Sequence, residues 1–304
     1  MSQQQRRALL LLLPLLLASG SPGTGAPPSH VKWLSMFNEG ANLGALQQQA
    51  QFANLVFDSN LTALHKLWSQ YNLTGFLSIQ RTAGVWTKYP GYNATSVTKS
   101  GLQEGWEQNL IRVLDAAEPY LRDGSLLGIF LGDELCCGGV PFENYTAVAQ
   151  AVKKRLQSTG GLVYSNECAT LQASGLPGGM PTIPDAIDLI SVDVYGYGPG
   201  GRMVAGGPTE HAYARKLVEA ALYSRMKPHQ RVLLVPGAFA QWNVSEPSTT
   251  GASGSKPSVA QQDDVISKLD GYWSWAQNDT RIAGINCCER LHALLPHPQS
   301  HPPP

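Results

Sequence analysis

From His30 onward, short runs of consecutive apolar residues alternate with stretches whose apolar positions recur every three or four residues. The runs cover 31–37, 53–57, 75–79, 126–131, 161–165, 187–192, 231–235 and 281–286. Short, nearly continuous apolar runs are the pattern of parallel strands covered on both faces. Between them lie helical stripes: Leu61, Leu64, His65 and Trp68; Trp106, Leu110, Val113, Leu114 and Ala117; and Tyr145, Val148, Ala149, Val152 and Leu156. Ala212, Leu217, Ala220 and Ala221 form a fourth, and Val265, Leu269, Tyr272 and Trp273 a fifth. Eight strands with intervening helices over residues 30–290 predict one α/β domain, a (β/α)₈ barrel. A doubly wound open sheet is the alternative, but no Gly-rich dinucleotide fingerprint follows the first strand.

Two stretches depart from the repeat. Residues 169–184 are rich in Gly and Pro, so the fifth helix is expected to be short or missing. Residues 287–304 offer little helix before a Pro/His-rich tail at 291–304, so the eighth helix is expected to be missing or truncated. Without it, the outer faces of strands one and eight would be exposed apolar surface. At the other end, Arg6 and Arg7 precede the apolar run Ala8–Ala18 and then small residues. This reads as a secretory signal peptide over 1–26, too short to span a bilayer as a membrane anchor.

That reading is reinforced by Asn-x-Ser/Thr acceptors at Asn60, Asn72, Asn93, Asn144, Asn243 and Asn278, half of the twelve asparagines. A secreted, lumenal or lysosomal glycoprotein is expected. In such a compartment the cysteines Cys136, Cys137, Cys168, Cys287 and Cys288 would form up to two disulfides. Their spacing fits no zinc site, and no cofactor is implied. The 304 residues carry 22 Lys+Arg against 22 Asp+Glu, which leaves no electrostatic footprint for nucleic acid. The oligomeric state is not legible.

In a barrel of this kind, chemistry sits at the C-terminal ends of the strands. Strand one delivers Asn38 and Glu39, strand two Asp58 and Asn60, strand three Gln80 and Arg81. Strand four ends in Gly132-Asp133-Glu134, strand five in Asn166-Glu167, and strand six in Asp193 with Tyr195 and Tyr197. Strand seven leads to Gln241 and Trp242, strand eight to Asn286. Several carboxylates thus converge on one rim. A Glu closing an apolar strand is partly desolvated, which raises its pKa and suits a general acid. Trp86, Tyr89, Tyr92, Tyr195, Tyr197 and Trp242 are rings available to stack on a sugar face.

The eight-unit pattern, the Gly132-Asp133-Glu134 ending and the Asp193-x-Tyr195 ending resemble the glycoside-hydrolase superfamily of TIM barrels. The resemblance implies a carbohydrate substrate and makes Glu134 the acid, assisted by Asp133 or Asp193. Asn38, Asn166, Glu167, Tyr195, Tyr197, Gln241 and Trp242 would contact substrate. One feature departs from the pattern: the nucleophile Glu that many retaining barrels carry after strand seven is absent from residues 235–241. Two schemes remain. Asp133 and Glu134 resemble the Asp-Glu pair of hexosaminidases in which the substrate's acetamido group attacks; alternatively Asp193 or Glu167 is the base of an inverting pair. A catalytically inactive barrel that binds glycans or a protein partner is the rival reading.

Overall fold

The computed structural model describes residues 30–37, 50, 53–80, 83–87, 101–136, 138–168, 180–193, 210–236 and 259–288. Its strands are β1 (Trp33–Phe37), β2 (Leu55–Asp58), β3 (Thr74–Ser78), β4 (Leu126–Asp133), β5 (Leu162–Cys168), β6 (Leu189–Asp193), β7 (Arg231–Leu234) and β8 (Ile282–Cys288). All eight expected strands form. They pair in parallel, each with its chain neighbour, and β8 closes on β1 to give an eight-stranded barrel. The helices are α1 (Leu61–Tyr71), α2 (Trp106–Arg122), α3 (Phe142–Leu156), α4 (Glu210–Val218, continued by a π turn over Glu219–Tyr223) and α5 (Val259–Asn278).

Period-two alternation divides each strand between two cores. Inward residues Phe57, Phe76, Phe130 and Tyr164, from β2 to β5, fill the barrel with rings whose centroids lie 5.0–5.6 Å apart. Outward residues such as Val56, Leu77, Ile129, Val163 and Ile190 meet the buried stripes of the helices, among them Leu64 and Leu67 of α1 and Val148, Val152 and Leu156 of α3. In α1 the inner position belongs to Leu67, whereas His65 of the expected stripe is exposed.

Local chemistry sets the helix ends. The Asn60 side chain accepts from the Ala63 N–H (3.1 Å) and caps α1, and Asn72 ends it in the left-handed conformation. Lys153 of α3 reaches Asp188 at the foot of β6, at 2.5 and 2.7 Å, and Asp188 also accepts from the Val163 N–H (2.8 Å). Beside β8, Arg281 makes two 2.8 Å contacts to Asp279, which also accepts from the Tyr223 hydroxyl (2.7 Å). The guanidinium lies 3.4 Å above the Tyr223 ring.

The outer face of β8 does not stand bare. Ile282 and Ile285 are buried in the core that contains Trp273, Trp275 and Ala276 of α5. Residues 169–179 and 289–304, where the fifth and eighth helices were in question, lie outside the described residues, as does the segment read as a signal peptide. Among the described cysteine side chains, Cys136 is a buried free thiol.

Candidate active site

Strand β4 carries a bulge. Phe130 pairs with Tyr164 and Asp133 with Asn166, so three steps on β4 match two on β5. The extra residue re-aims the strand end, a role bulges serve beside functional sites. Gly132 supplies the required backbone: its φ is +153°, and a Cβ there would lie 2.9 Å from Leu135 Cδ2. The bulge brings Asp133 level with Asn166.

Asn166 is the hub. It is 2% exposed, and its amide nitrogen donates to Asp133 Oδ1 (2.6 Å) and to Asp193 Oδ1 (2.9 Å). The two carboxylate oxygens therefore stand no farther apart than the sum of those distances, about 5.5 Å. The amide oxygen accepts from the Ser191 hydroxyl, which also bonds the Tyr164 hydroxyl at 2.7 Å. Ser191 thus fixes the amide so that both N–H groups face carboxylates. Burial pushes the Tyr164 phenol up and the Asp193 and Asp133 charges add to it, so the phenol keeps its proton.

Asp133 is also held through its backbone. The Gln80 amide accepts from the Asp133 N–H (3.0 Å) and donates to its carbonyl (2.9 Å), acting as a one-residue extension of β3. Glu134 follows in the left-handed region at φ +51°, one of two non-glycine residues with positive φ among the described residues. Its N–H donates to the Asn166 carbonyl (2.8 Å), and its carbonyl accepts from Gly138 (2.7 Å). Its carboxyl is pushed up to about 7, first by burial and then by the neighbouring Asp133 charge. Such a group is neutral and able to give a proton below that pH, while Asp133 and Asp193 serve as acceptors.

Asp133, Glu134, Asn166 and Asp193 therefore converge. Glu167 does not join them. It lies on the outward face of β5, fully buried, and accepts from the Cys136 N–H (3.2 Å) and the Ser165 hydroxyl (3.4 Å). This corrects its assignment to the substrate surface and to the base of an inverting pair, since it stands behind the barrel wall. Asp58 also turns outward, to accept from the Asn60 N–H (2.9 Å). Trp86 is 5% exposed, and its indole donates to the Leu131 carbonyl (3.2 Å), so this ring is packing and not a stacking platform. Asn38, Arg81, Tyr89, Tyr92, Tyr195, Tyr197, Gln241 and Trp242 lie outside the described residues.

Gln80 stands at the rim in the sequence with no evident task, and Ser191, Tyr164 and Ser35 lie within apolar runs that carry no chemical motif. Ser35 and Asn286 are paired across β1 and β8, both buried. The Tyr164 hydroxyl is near Asn286 but bonds Ser191, which leaves the Asn286 amide and the Ser35 hydroxyl unsatisfied among the described residues. Polar inward residues on strands that are otherwise apolar were the signal available for them.

No family model matches the chain, and no curated protein matches it. Solved structures do. A GH113 β-1,4-mannanase is 11% identical, with a TM-score of 0.50 over 85% of this chain and 88% of that one. The spore cortex-lytic enzyme SleL of Bacillus megaterium QM B1551 is 12% identical, with a TM-score of 0.51 over 91% of this chain and 77% of that one. The likeness is one of fold, an eight-stranded parallel (β/α)₈ barrel.

Proposed function

We propose that the protein is a glycoside hydrolase in which Glu134 protonates the departing glycosidic oxygen. The observation that carries this reading is a half-buried carboxyl at the end of β4, raised to about 7 and set beside the Asp133–Asn166–Asp193 bridge. The fold's likeness to a mannanase and a cortex-lytic enzyme supports a carbohydrate substrate. The bridged aspartates, sharing one neutral amide, lie too close together to admit a water between them as an inverting pair, which needs roughly 6.5–9.5 Å. With Glu134 as the acid, they act on the substrate or on the attacking water. Their oxygens accept from sugar hydroxyls or from an acetamido N–H and stabilise positive charge developing at the anomeric carbon.

The attacking group is then either the substrate's own acetamido oxygen, oriented by Asp133, or a water activated by Asp193. A panel of aryl glycosides distinguishes the two. Turnover confined to N-acetylhexosaminides supports substrate assistance, and turnover of simple hexosides supports water. No turnover by a folded protein on any member argues against hydrolysis. Glycan binding in that case favours the inactive-barrel reading, which the missing carboxylate after β7 also supports. The signal-like segment at 1–26 and the six glycosylation acceptors support a secreted or lumenal glycoprotein.

A further inference from the structure

The last turn of β5 places two consecutive polar side chains on opposite faces. Asn166 enters the barrel and bridges the aspartates, while Glu167 goes outward and is fully buried between β5 and the segment entering α3. Both Glu167 oxygens face the Cys136 N–H, at 3.2 and 3.5 Å, and Oε1 also receives the Ser165 hydroxyl at 3.4 Å. Its charge reinforces the upward push that burial gives the Cys136 thiol and the Tyr145 phenol. A buried carboxylate is costly, and an apolar side chain would fill the same volume more cheaply. Among what the carboxylate adds is a fixed acceptor for the Cys136 peptide group.

That peptide lies two residues beyond Glu134. A non-glycine residue held at φ +51° persists only where its surroundings over-determine it. Here the turn is gripped at two points. In the wall, the Glu134 N–H is bound by the Asn166 main-chain carbonyl; behind it, the Cys136 N–H is bound by the Glu167 carboxylate. Leu135, between them, is fully buried against Gly132.

The geometry points to Glu167 as a positioning residue, whose outward carboxylate fixes, through the Cys136 N–H, the turn that holds Glu134 beside Asp133. The inference rests on Glu134 being the proton donor, and it assigns Glu167 no contact with substrate.

The test compares Glu167→Gln, which keeps an acceptor oxygen, with Glu167→Ala, which removes it. Glu167→Leu repeats the test with the volume filled should the alanine variant unfold. The first readout needs no substrate: the carbon-13 titration of the Glu134 carboxyl, assigned by its disappearance in Glu134→Gln. The Glu167→Gln midpoint should stay within about half a unit of wild type, while Glu167→Ala should move it down by at least about one unit as the turn opens and the carboxyl gains water. On a turned-over glycoside, kcat of Glu167→Ala should fall at least about tenfold with KM within about twofold, and Glu167→Gln should restore it. A folded Glu167→Ala or Glu167→Leu variant with unchanged midpoint and kcat overturns the proposal. So does a Glu167→Gln variant as impaired as alanine. If Glu134→Gln leaves turnover intact, the proton-donor reading fails by itself, and the titration still decides whether Glu167 sets the turn.

Discussion

Replacing Asn166 by aspartate tests the bridge at the heart of the site without changing its shape. The substitution removes the two N–H donors that reach Asp133 at 2.6 Å and Asp193 at 2.9 Å, and places a third carboxyl against two others. Two unit charges about 4 Å apart repel by about 4 kcal/mol at an effective dielectric near 20, so three charges together are not sustained. One carboxyl takes a proton instead. For an aspartate of ordinary pKa near 3.9, holding that proton at pH 7 costs about 4 kcal/mol, and at pH 5 about 1.5 kcal/mol. The folded-state pKa is raised above its unfolded value. The variant's stability is therefore fully present below about pH 4 and is lost as pH rises. Urea unfolding of wild type and Asn166→Asp at pH 5 and pH 7 should show the deficit growing by about 1.4 kcal/mol per pH unit, one proton's worth. A deficit equal at the two pH values, or below about 1 kcal/mol at pH 7, would refute the bridge.

Three further outcomes follow from other parts of the molecule. Gly132→Ala forces a Cβ into Leu135 at an unfavourable φ and should cost about 2–3 kcal/mol in thermal unfolding, whereas a loss under about 0.5 kcal/mol would mean the bulge needs no glycine. Asp279, pulled down to about 2 chiefly by Arg281 and Tyr223 against the opposing effect of burial, contributes stability above its ordinary pKa that disappears as pH falls through 2. Asp279→Asn should therefore cost about 1–2 kcal/mol at pH 6 and less with each unit below 4, and a pH-independent cost would contradict the ion pair. Asn60, Asn72 and Asn278 are exposed while Asn144 is half-buried, so peptide mapping of protein secreted from animal cells should find glycans at the first three. Unmodified asparagine at all of them would count against a secretory route.

Much of the barrel was legible because apolar runs mark parallel strands whatever their neighbours. Strand ends were less so, and the site depends on them. Asn166 and Asp193 fall just past apolar runs and read as rim residues, yet β5 runs on to Cys168 and β6 to Asp193, which makes them wall residues beside Ser191, itself inside the sixth run. Glu167 was placed on the wrong face because period two turns consecutive residues to opposite sides, and an uncertain strand end leaves the phase open. The bulge at Leu131–Gly132 left no sequence trace beyond a glycine, although it brings Asp133 level with Asn166. The Glu134 assignment rested on a carboxylate closing an apolar strand, a local relation that bulges and registers do not disturb.

The central claim is that Glu134 gives up a proton from a carboxyl that stays neutral to about pH 7. Its most direct test is the pH dependence of kcat/KM for wild type, on whichever glycoside turns over, beside the same measurement on Glu134→Gln. The wild-type rate should fall on the alkaline side with a midpoint near 7. The glutamine variant, equally well folded, should lose about 10²–10⁴-fold and have no such limb. A glutamine variant that retains turnover with the same alkaline limb would remove Glu134 from the reaction.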